Sequence, residues 1–281
     1  MEHYSAPDIE TWKEAGLDFY VKNQVAYIIL NRPHIKNAVT HPLRNAILKA
    51  LDEVNINADI RAAVIHGAGG AFCSGADLTQ PDHIEIPVEQ RRGARHHIAR
   101  EDGLMFGWYR IIEKMWANTK PIVTAVDGAA YGFGCNFGFA GDYVVAGDTA
   151  RFCEIFVTRG LPLEASGAYL LTRSVSPVRA KEIALFGEPL PAAKALEWGL
   201  VNVVVPAAEV LAKATEVAEK LANGPTIMIG QIKAQINDAL DQNLRQTWKD
   251  EVTYLGLGPG LDGEEAGLAF REKRAPKFTG R

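Results

Sequence analysis

The sequence predicts an α/β fold, and three observations carry the prediction. Short apolar runs such as Val25–Leu30, Ala62–His66 and Pro121–Val126 read as buried strands. Two of them run into glycine-dense turns, at residues 67–77 and 128–134, where a Cβ would obstruct the bend. Segments with helical spacing follow, so the rhythm of strand, glycine turn, helix and strand occurs more than once. The 281 residues suffice for one large domain or two small ones with a sizeable core. A hydrophobic content of 47% and a charged content of 23% are ordinary for a globular chain.

In chain order, residues 1–16 read as a polar leader, acidic and without a signal-peptide core. Leu17–Val21 and Val25–Leu30 form a predicted hairpin, and Asn31-Arg32-Pro33 breaks its second strand. Thr40 is placed to cap a helix that starts near Pro42, with Leu43, Ile47, Ala50, Leu51 and Val54 on its buried face. After the Ala62–His66 strand and the first glycine turn, residues 79–90 are polar and carry two prolines, which marks a loop. A long helical stretch over 89–117 turns Ile111, Ile112 and Met115 inward.

The strand Pro121–Val126 and the second glycine turn open a small-residue helix, Cys135–Ala140. Tyr143–Ala146 and Arg151–Phe156 read as strands, and Glu164–Val175, Val178–Phe186 and Ala192–Trp198 as helices, the last ended by Gly199. Leu200–Val205 is the final expected strand. From Pro206 the pattern is helical, over 207–222, 226–240, 243–255 and 263–273, so a boundary is expected at about residue 206. The apolar positions along this tail suit packing on a neighbouring subunit.

Composition excludes several classes. A net charge of −4 gives no reason to expect nucleic acid, although a local basic patch could still hold an anionic ligand. No run of 18 apolar residues exists, so no membrane span is expected. Cys73, Cys135 and Cys153 form no C-x-x-C pair, which suits a reduced, cytoplasmic protein with buried thiols. The histidines do not recur at ligand spacings near them, so no metal site is expected.

Each glycine turn follows a short strand and can aim a backbone N–H at a ligand. Two converging donors are the least an oxyanion hole requires. The N–H groups of Ala76, in Ser-Gly-Ala-Asp, and Phe133, in Tyr-Gly-Phe-Gly, are the candidates. From spacing alone, each turn serves equally well as a tight strand-to-helix connection. A dinucleotide reading of Gly132, Gly134 and Gly138, with Asp148 as the ribose acid, is the less favoured alternative on two counts. The glycine spacing is off by one, and the unit is too short for a crossover helix.

Four motifs add a resemblance. Ile-Leu-Asn-Arg-Pro-x-x-x-Asn-Ala at 29–38, Ala-Phe-Cys-Ser-Gly-Ala-Asp-Leu at 71–78, Lys-Pro-x-Val-x-Ala-Val-x-Gly-x-Ala-x-Gly-x-Gly-Cys at 120–135 and Ala-Phe-Arg-Glu-Lys-Arg-x-Pro-x-Phe at 269–278 occur in that order. From about residue 17 to the C-terminus the chain resembles the crotonase superfamily, the enoyl-CoA hydratase/isomerase group. The resemblance implies a spiral core of ββα turns over 17–205 and a C-terminal helical region over 206–281 used in trimer assembly, often as a dimer of trimers. It implies an acyl-CoA thioester substrate whose carbonyl sits between the Ala76 and Phe133 N–H groups, with coenzyme A arriving as part of the substrate and no permanently bound cofactor. Ser74, Gly75 and Ala76 would border the adenine and pantetheine. Phe270, Lys273 and Lys277 resemble residues that meet the CoA of a neighbouring subunit.

The chain departs from the pattern where hydratases of this group carry two glutamates. Asn136 stands at the first position and Phe156 at the second. Asn136 can orient a water but cannot take its proton, and Phe156 can do neither. Glu164 lies eight residues beyond Phe156, at a position that resembles the acidic base of dienoyl-CoA isomerases. It is equally placed to cap a helix. Glu154 precedes Phe156 by two residues and shares its face in an extended chain, so it is a second acid/base candidate, or a partner for Arg151 or Arg159. Asp77 is expected to cap the first turn. His96 and His97 belong to a charged helix face or to the cover of the acyl pocket. Tyr131 and Trp108 either shape that pocket or pack the core.

Overall fold

The computed structural model describes residues 8–79, 107–258 and 260–281. A short helix α1 (Ile9–Glu14) opens the described chain within the stretch read as a polar leader. Its Trp12 is only 3% exposed and meets the Phe19 ring edge-on at 5.3 Å, which is what docks the helix. Strands β1 (Leu17–Lys22) and β2 (Val25–Leu30) then form the expected hairpin. Asn23 and Gln24 both take positive φ at its tip, as a two-residue turn of primed type needs.

Helix α2 (His41–Ile56) starts as expected: the Thr40 hydroxyl accepts the Leu43 N–H at 3.2 Å and Pro42 sits in the first turn. Strand β3 (Ala62–Gly67) follows. Of the long helical stretch expected over 89–117, helix α3 (Trp108–Ala117) is described, with Ile111, Ile112 and Met115 buried. Most of the expected loop at 79–90, and His96 and His97, lie outside the described residues.

Strands β4 (Ile122–Val126) and β5 (Ala129–Tyr131) lead into helix α4 (Phe133–Phe139). Strands β6 (Tyr143–Gly147) and β7 (Arg151–Cys153) repeat the unit. The strand expected to reach Phe156 stops at Cys153, and Ile155–Arg159 forms a 3₁₀ turn. The next helix, α5 (Gly167–Ser174), begins three residues later than its pattern suggested, because Ala165 and Ser166 both hold positive φ. Helix α6 (Pro177–Phe186), the two-residue strand β8 (Leu190–Pro191), helix α7 (Ala192–Glu197) and strand β9 (Val203–Val205) complete the strand-bearing part. Helices α8 (Val210–Ala222), α9 (Thr226–Ala239), α10 (Leu244–Gly256) and α11 (Gly260–Glu272) follow.

The strands form two sheets. The larger runs β1-β2-β3-β4-β6-β9, parallel except for the first pair, and the smaller runs β5-β7-β8. The middle turns of the chain give one strand to each sheet, so β4 and β5 are succeeded by β6 and β7 in parallel register. This is a spiral built from ββα turns. The central parallel strands β3 and β4 are buried on both faces. Ala63 and Ile65 of β3 enter a core that includes Ile47 of α2 and Met115 of α3, while Ala62 and Val64 face α8. The α8 contact is made by Val210, Ala214, Ala218 and Ala222, a stripe small enough for the helix to lie close against the sheet. So the first long helix beyond residue 206 packs directly on the strands.

The chain end folds back onto the N-terminal end of β3. Buried Arg61 donates to the Phe278 carbonyl and the Thr226 hydroxyl, and Asp262 accepts the N–H groups of Thr279 and Gly280. Among the described residues no helix is long and apolar enough to cross a membrane.

Candidate active site

Both glycine turns leave the C-terminal ends of neighbouring strands, β3 and β4. The first turn is laid down as an extra rung beside β5: Cys73 N–H donates to Ala129 and Tyr131 N–H to Cys73, each at 2.9 Å. On its other side, Ser74 N–H donates to Lys36 and Asp77 N–H to Val39. Successive amides of an extended segment point in opposite directions. The Ala76 N–H is therefore turned away from Val39, toward the side on which residues 131–133 run.

The second turn is equally constrained. Gly132 holds φ 53°, ψ −121°, a conformation that L-residues avoid, and its N–H is spent on the Cys153 carbonyl. Phe133 is the first residue of α4, so its N–H has no acceptor within the helix. The two turns touch. A Cβ built on Gly75 would lie 3.0 Å from the Tyr131 carbonyl oxygen and 3.9 Å from the Phe133 nitrogen. Among the described residues, neither the Ala76 nor the Phe133 N–H is paired. Ser74, Gly75 and Ala76 lie along the first turn, where the Ser74 hydroxyl donates to the Ile35 carbonyl.

Aromatic side chains flank this pair. The Phe133 ring stacks on Phe137 at 5.3 Å and meets half-buried Trp108 at 4.9 Å. The Tyr131 phenol stands on the side of β7: burial raises its pKa, the Cys153 thiol adds to that, and Arg151 opposes it. Asp77 caps the first turn, accepting the Thr79 hydroxyl and N–H and pairing with Arg32 at 3.2 Å. These hydrogen bonds hold its carboxyl below the ordinary range, the Thr79 hydroxyl foremost.

The acidic candidates occupy different environments. Glu164 is half-buried and sits at the entrance to α5. The N-cap position itself is held by Ser166, whose side chain makes no capping bond. The Tyr109 phenol lies beside it: burial raises the phenol's pKa, the Glu164 charge raises it further, and a hydrogen bond with the Ala165 backbone works the other way. Glu154 is 0% exposed, and so is Asn136. Asn136 Nδ2 donates to the Glu164 carbonyl at 2.9 Å and approaches Glu154 Oε2 at 3.5 Å. Burial pushes the Glu154 carboxyl up to about 8, although hydrogen bonds from Asn136 and Cys135 oppose the rise. Phe156 packs against Gly132, with its ring 3.7 Å from a Cβ built there.

The tail candidates stand apart. Phe270 is 86% exposed, and Lys273 and Lys277 are exposed as well. The Lys277 backbone N–H is held by Glu265. The segment that follows docks at the N-terminal end of β3, whereas the glycine turns leave the C-terminal ends. A six-residue strand separates those ends by roughly 20 Å.

Two features of the site escaped sequence reasoning. Tyr109 belongs to no motif and reaches Glu164 only through the packing of α3. The left-handed pair Ala165-Ser166 carries no glycine or asparagine to announce it.

Comparison with known proteins agrees with this architecture. The enoyl-CoA hydratase/isomerase family model matches residues 20–281. A Rhodobacter capsulatus protein described as a probable enoyl-CoA hydratase is 32% identical over 264 residues, covering 94% of this chain and 97% of its own. The trans-2-decenoyl-[acyl-carrier-protein] isomerase of Streptococcus mutans is 33% identical over 269 residues, covering 94% and 97%. The crystal structure of an enoyl-CoA hydratase from Bacillus anthracis superimposes with a TM-score of 0.83 at 29% identity, over 95% of this chain and all of that one. The spiral of ββα turns, the motifs and these matches place the chain in the enoyl-CoA hydratase/isomerase family of the crotonase superfamily.

Proposed function

We propose that the protein transforms an acyl-CoA thioester through an enolate held by the Ala76 and Phe133 N–H groups, with Glu164 moving the proton. The observation that carries this reading is the pair of unspent amides on two touching turns. A thioester α-proton is too weak an acid to leave unaided at neutral pH. Donors already aimed at the developing oxyanion lower that barrier, each by about 10²–10³ in rate by analogy with other such holes.

Single-carboxylate, isomerase-like chemistry is favoured over two-glutamate hydration. Asn136 and Phe156 hold the two positions at which hydratases of this group carry glutamates. One base that removes a proton and returns it elsewhere suits a double-bond shift, and a relative 33% identical is named as an isomerase. Coenzyme A enters with the substrate, bordered by Ser74, Gly75 and Ala76, and no permanent cofactor is needed. Exposed Phe270, Lys273 and Lys277 would meet the CoA of another subunit in a homotrimer or a dimer of trimers. The exposed stripe Leu244, Trp248, Val252 and Leu255 on α10 offers the surface for that assembly. Three buried thiols suit a cytoplasmic setting.

The test is incubation with an enoyl-CoA in deuterium oxide. Deuterium at the α or γ carbon without water addition supports the isomerase reading. A hydroxyacyl product would make the protein a hydratase, and free CoA would make it a hydrolase. Tight binding of CoA esters without turnover at any chain length would make it a non-catalytic binder, the alternative that its missing glutamates favour.

A further inference from the structure

Glu164 is carried by an unfavourable piece of backbone. Ala165 at φ 48° and Ser166 at φ 63° follow it, two successive L-residues in the left-handed region. Such a turn persists only where its surroundings over-determine it. Here the Glu164 carbonyl accepts two hydrogen bonds, from Gly167 N–H at 3.0 Å and from Asn136 Nδ2 at 2.9 Å. The Asn136 amide is wedged in place: a Cβ on Gly167 would stand 2.8 Å from Nδ2 and 3.1 Å from Oδ1. Behind it, Glu154 Oε2 stands 3.5 Å from the same Nδ2. Both side chains are fully buried, and among the described residues Asn136 Oδ1 and Glu154 Oε1 have no partner.

We propose that Asn136 and Glu154 are positioning residues for Glu164: Glu154 fixes the Asn136 amide, and the amide fixes the carbonyl that directs the Glu164 side chain. The inference rests on Glu164 being the base. Both residues are fully buried, which suits a place behind the base rather than against substrate. Buried acceptors without partners are expensive, and less so when the carboxyl carries a proton. A neutral Glu154 supplies it, and burial favours that form. The titratable groups that act on Glu154 are the Cys135 and Cys153 thiols, themselves pushed up by burial. The pair therefore behaves as an uncharged brace at neutral pH. It loosens when Glu154 gives up its proton.

The experiment compares Asn136→Ala, Glu154→Ala, Glu154→Gln and Glu164→Gln by deuterium exchange into trans-2-decenoyl-CoA, with folding checked by circular dichroism. A base displaced by about 1 Å costs on the order of 10²-fold in rate. Asn136→Ala and Glu154→Ala are expected to lose about that much in kcat with KM nearly unchanged. Glu154→Gln, a permanently neutral isostere, restores most of the loss and extends activity to higher pH than the wild type. If Glu154→Gln is as inactive as Glu164→Gln, Glu154 carries the proton itself and the inference falls. If Glu164→Gln is inactive while Asn136→Ala turns over normally, the base assignment stands and only the brace is refuted. If Glu164→Gln turns over normally, the base assignment itself is refuted.

Discussion

The Gly134 Cα rests against the Cys73 carbonyl so closely that a methyl group there would stand 2.1 Å from the oxygen. That contact sets the spacing of the two turns, since Cys73 leads the first and Gly134 follows the donor of the second. Gly134→Ala is expected to force them apart, destabilising the fold by about 1–3 kcal/mol and lowering turnover with it. Urea midpoints and steady-state kinetics measure both. Wild-type values for both would show that the spacing is not critical.

Glu164→Gln removes the proposed base but keeps its shape. A loss of about 10²–10⁴ in kcat is expected, with KM for the enoyl-CoA within a few-fold of wild type. Tyr109→Phe, which removes only the neighbouring phenol oxygen, is expected to do less. An unchanged kcat in Glu164→Gln would send the search for the base elsewhere.

Glu154 predicts a pH dependence of stability. Its carboxyl titrates at about 8 in the fold, against an ordinary value of 4.5. Between those limits the folded state keeps a proton that the unfolded chain releases. Stability is therefore full below about pH 4.5, falls as pH rises toward 8, and is level above that. Glu154→Gln abolishes this loss. The thermal midpoint of the variant relative to wild type is expected to rise from pH 5 to about pH 8 and to level off above that, and a constant difference would refute the assignment.

The three thiols are expected to be inert in the native protein. Burial pushes Cys73 up to about 12 and Cys153 up to about 11, and raises Cys135 as well. The thiolate is the reactive form. Alkylation followed by mass spectrometry should find no label on folded protein and three labels after denaturation. Rapid native labelling of any one would mean that its segment opens.

What the residues announced locally came through. Two β-type runs gave the β1–β2 hairpin, and Thr40 gave a helix start. Strands β5 and β8, of three and two residues, were missed because so few residues hold no period. The burial of Glu154 was equally hidden. Its place on an assumed strand pointed it toward Phe156, but at φ −80°, ψ 67° the chain leaves the strand and alternation no longer applies. The Glu164 turn was misread as helix because neither Ala165 nor Ser166 favours the conformation it holds. A bond from Asn136, 28 positions away in the chain, helps to hold it, and that contact is invisible to local sequence.

The rung that joins Cys73 to β5 has a wider consequence. The proposed donors Ala76 and Phe133 are peptide groups on turns joined by bridges such as Cys73 to Ala130, so no side chain need be preserved to keep them. On that proposal, mutation is free to exchange the acids and amides nearby while the two amides stay in place. A lineage built this way can acquire a new reaction by point substitution, without first dismantling the old scaffold.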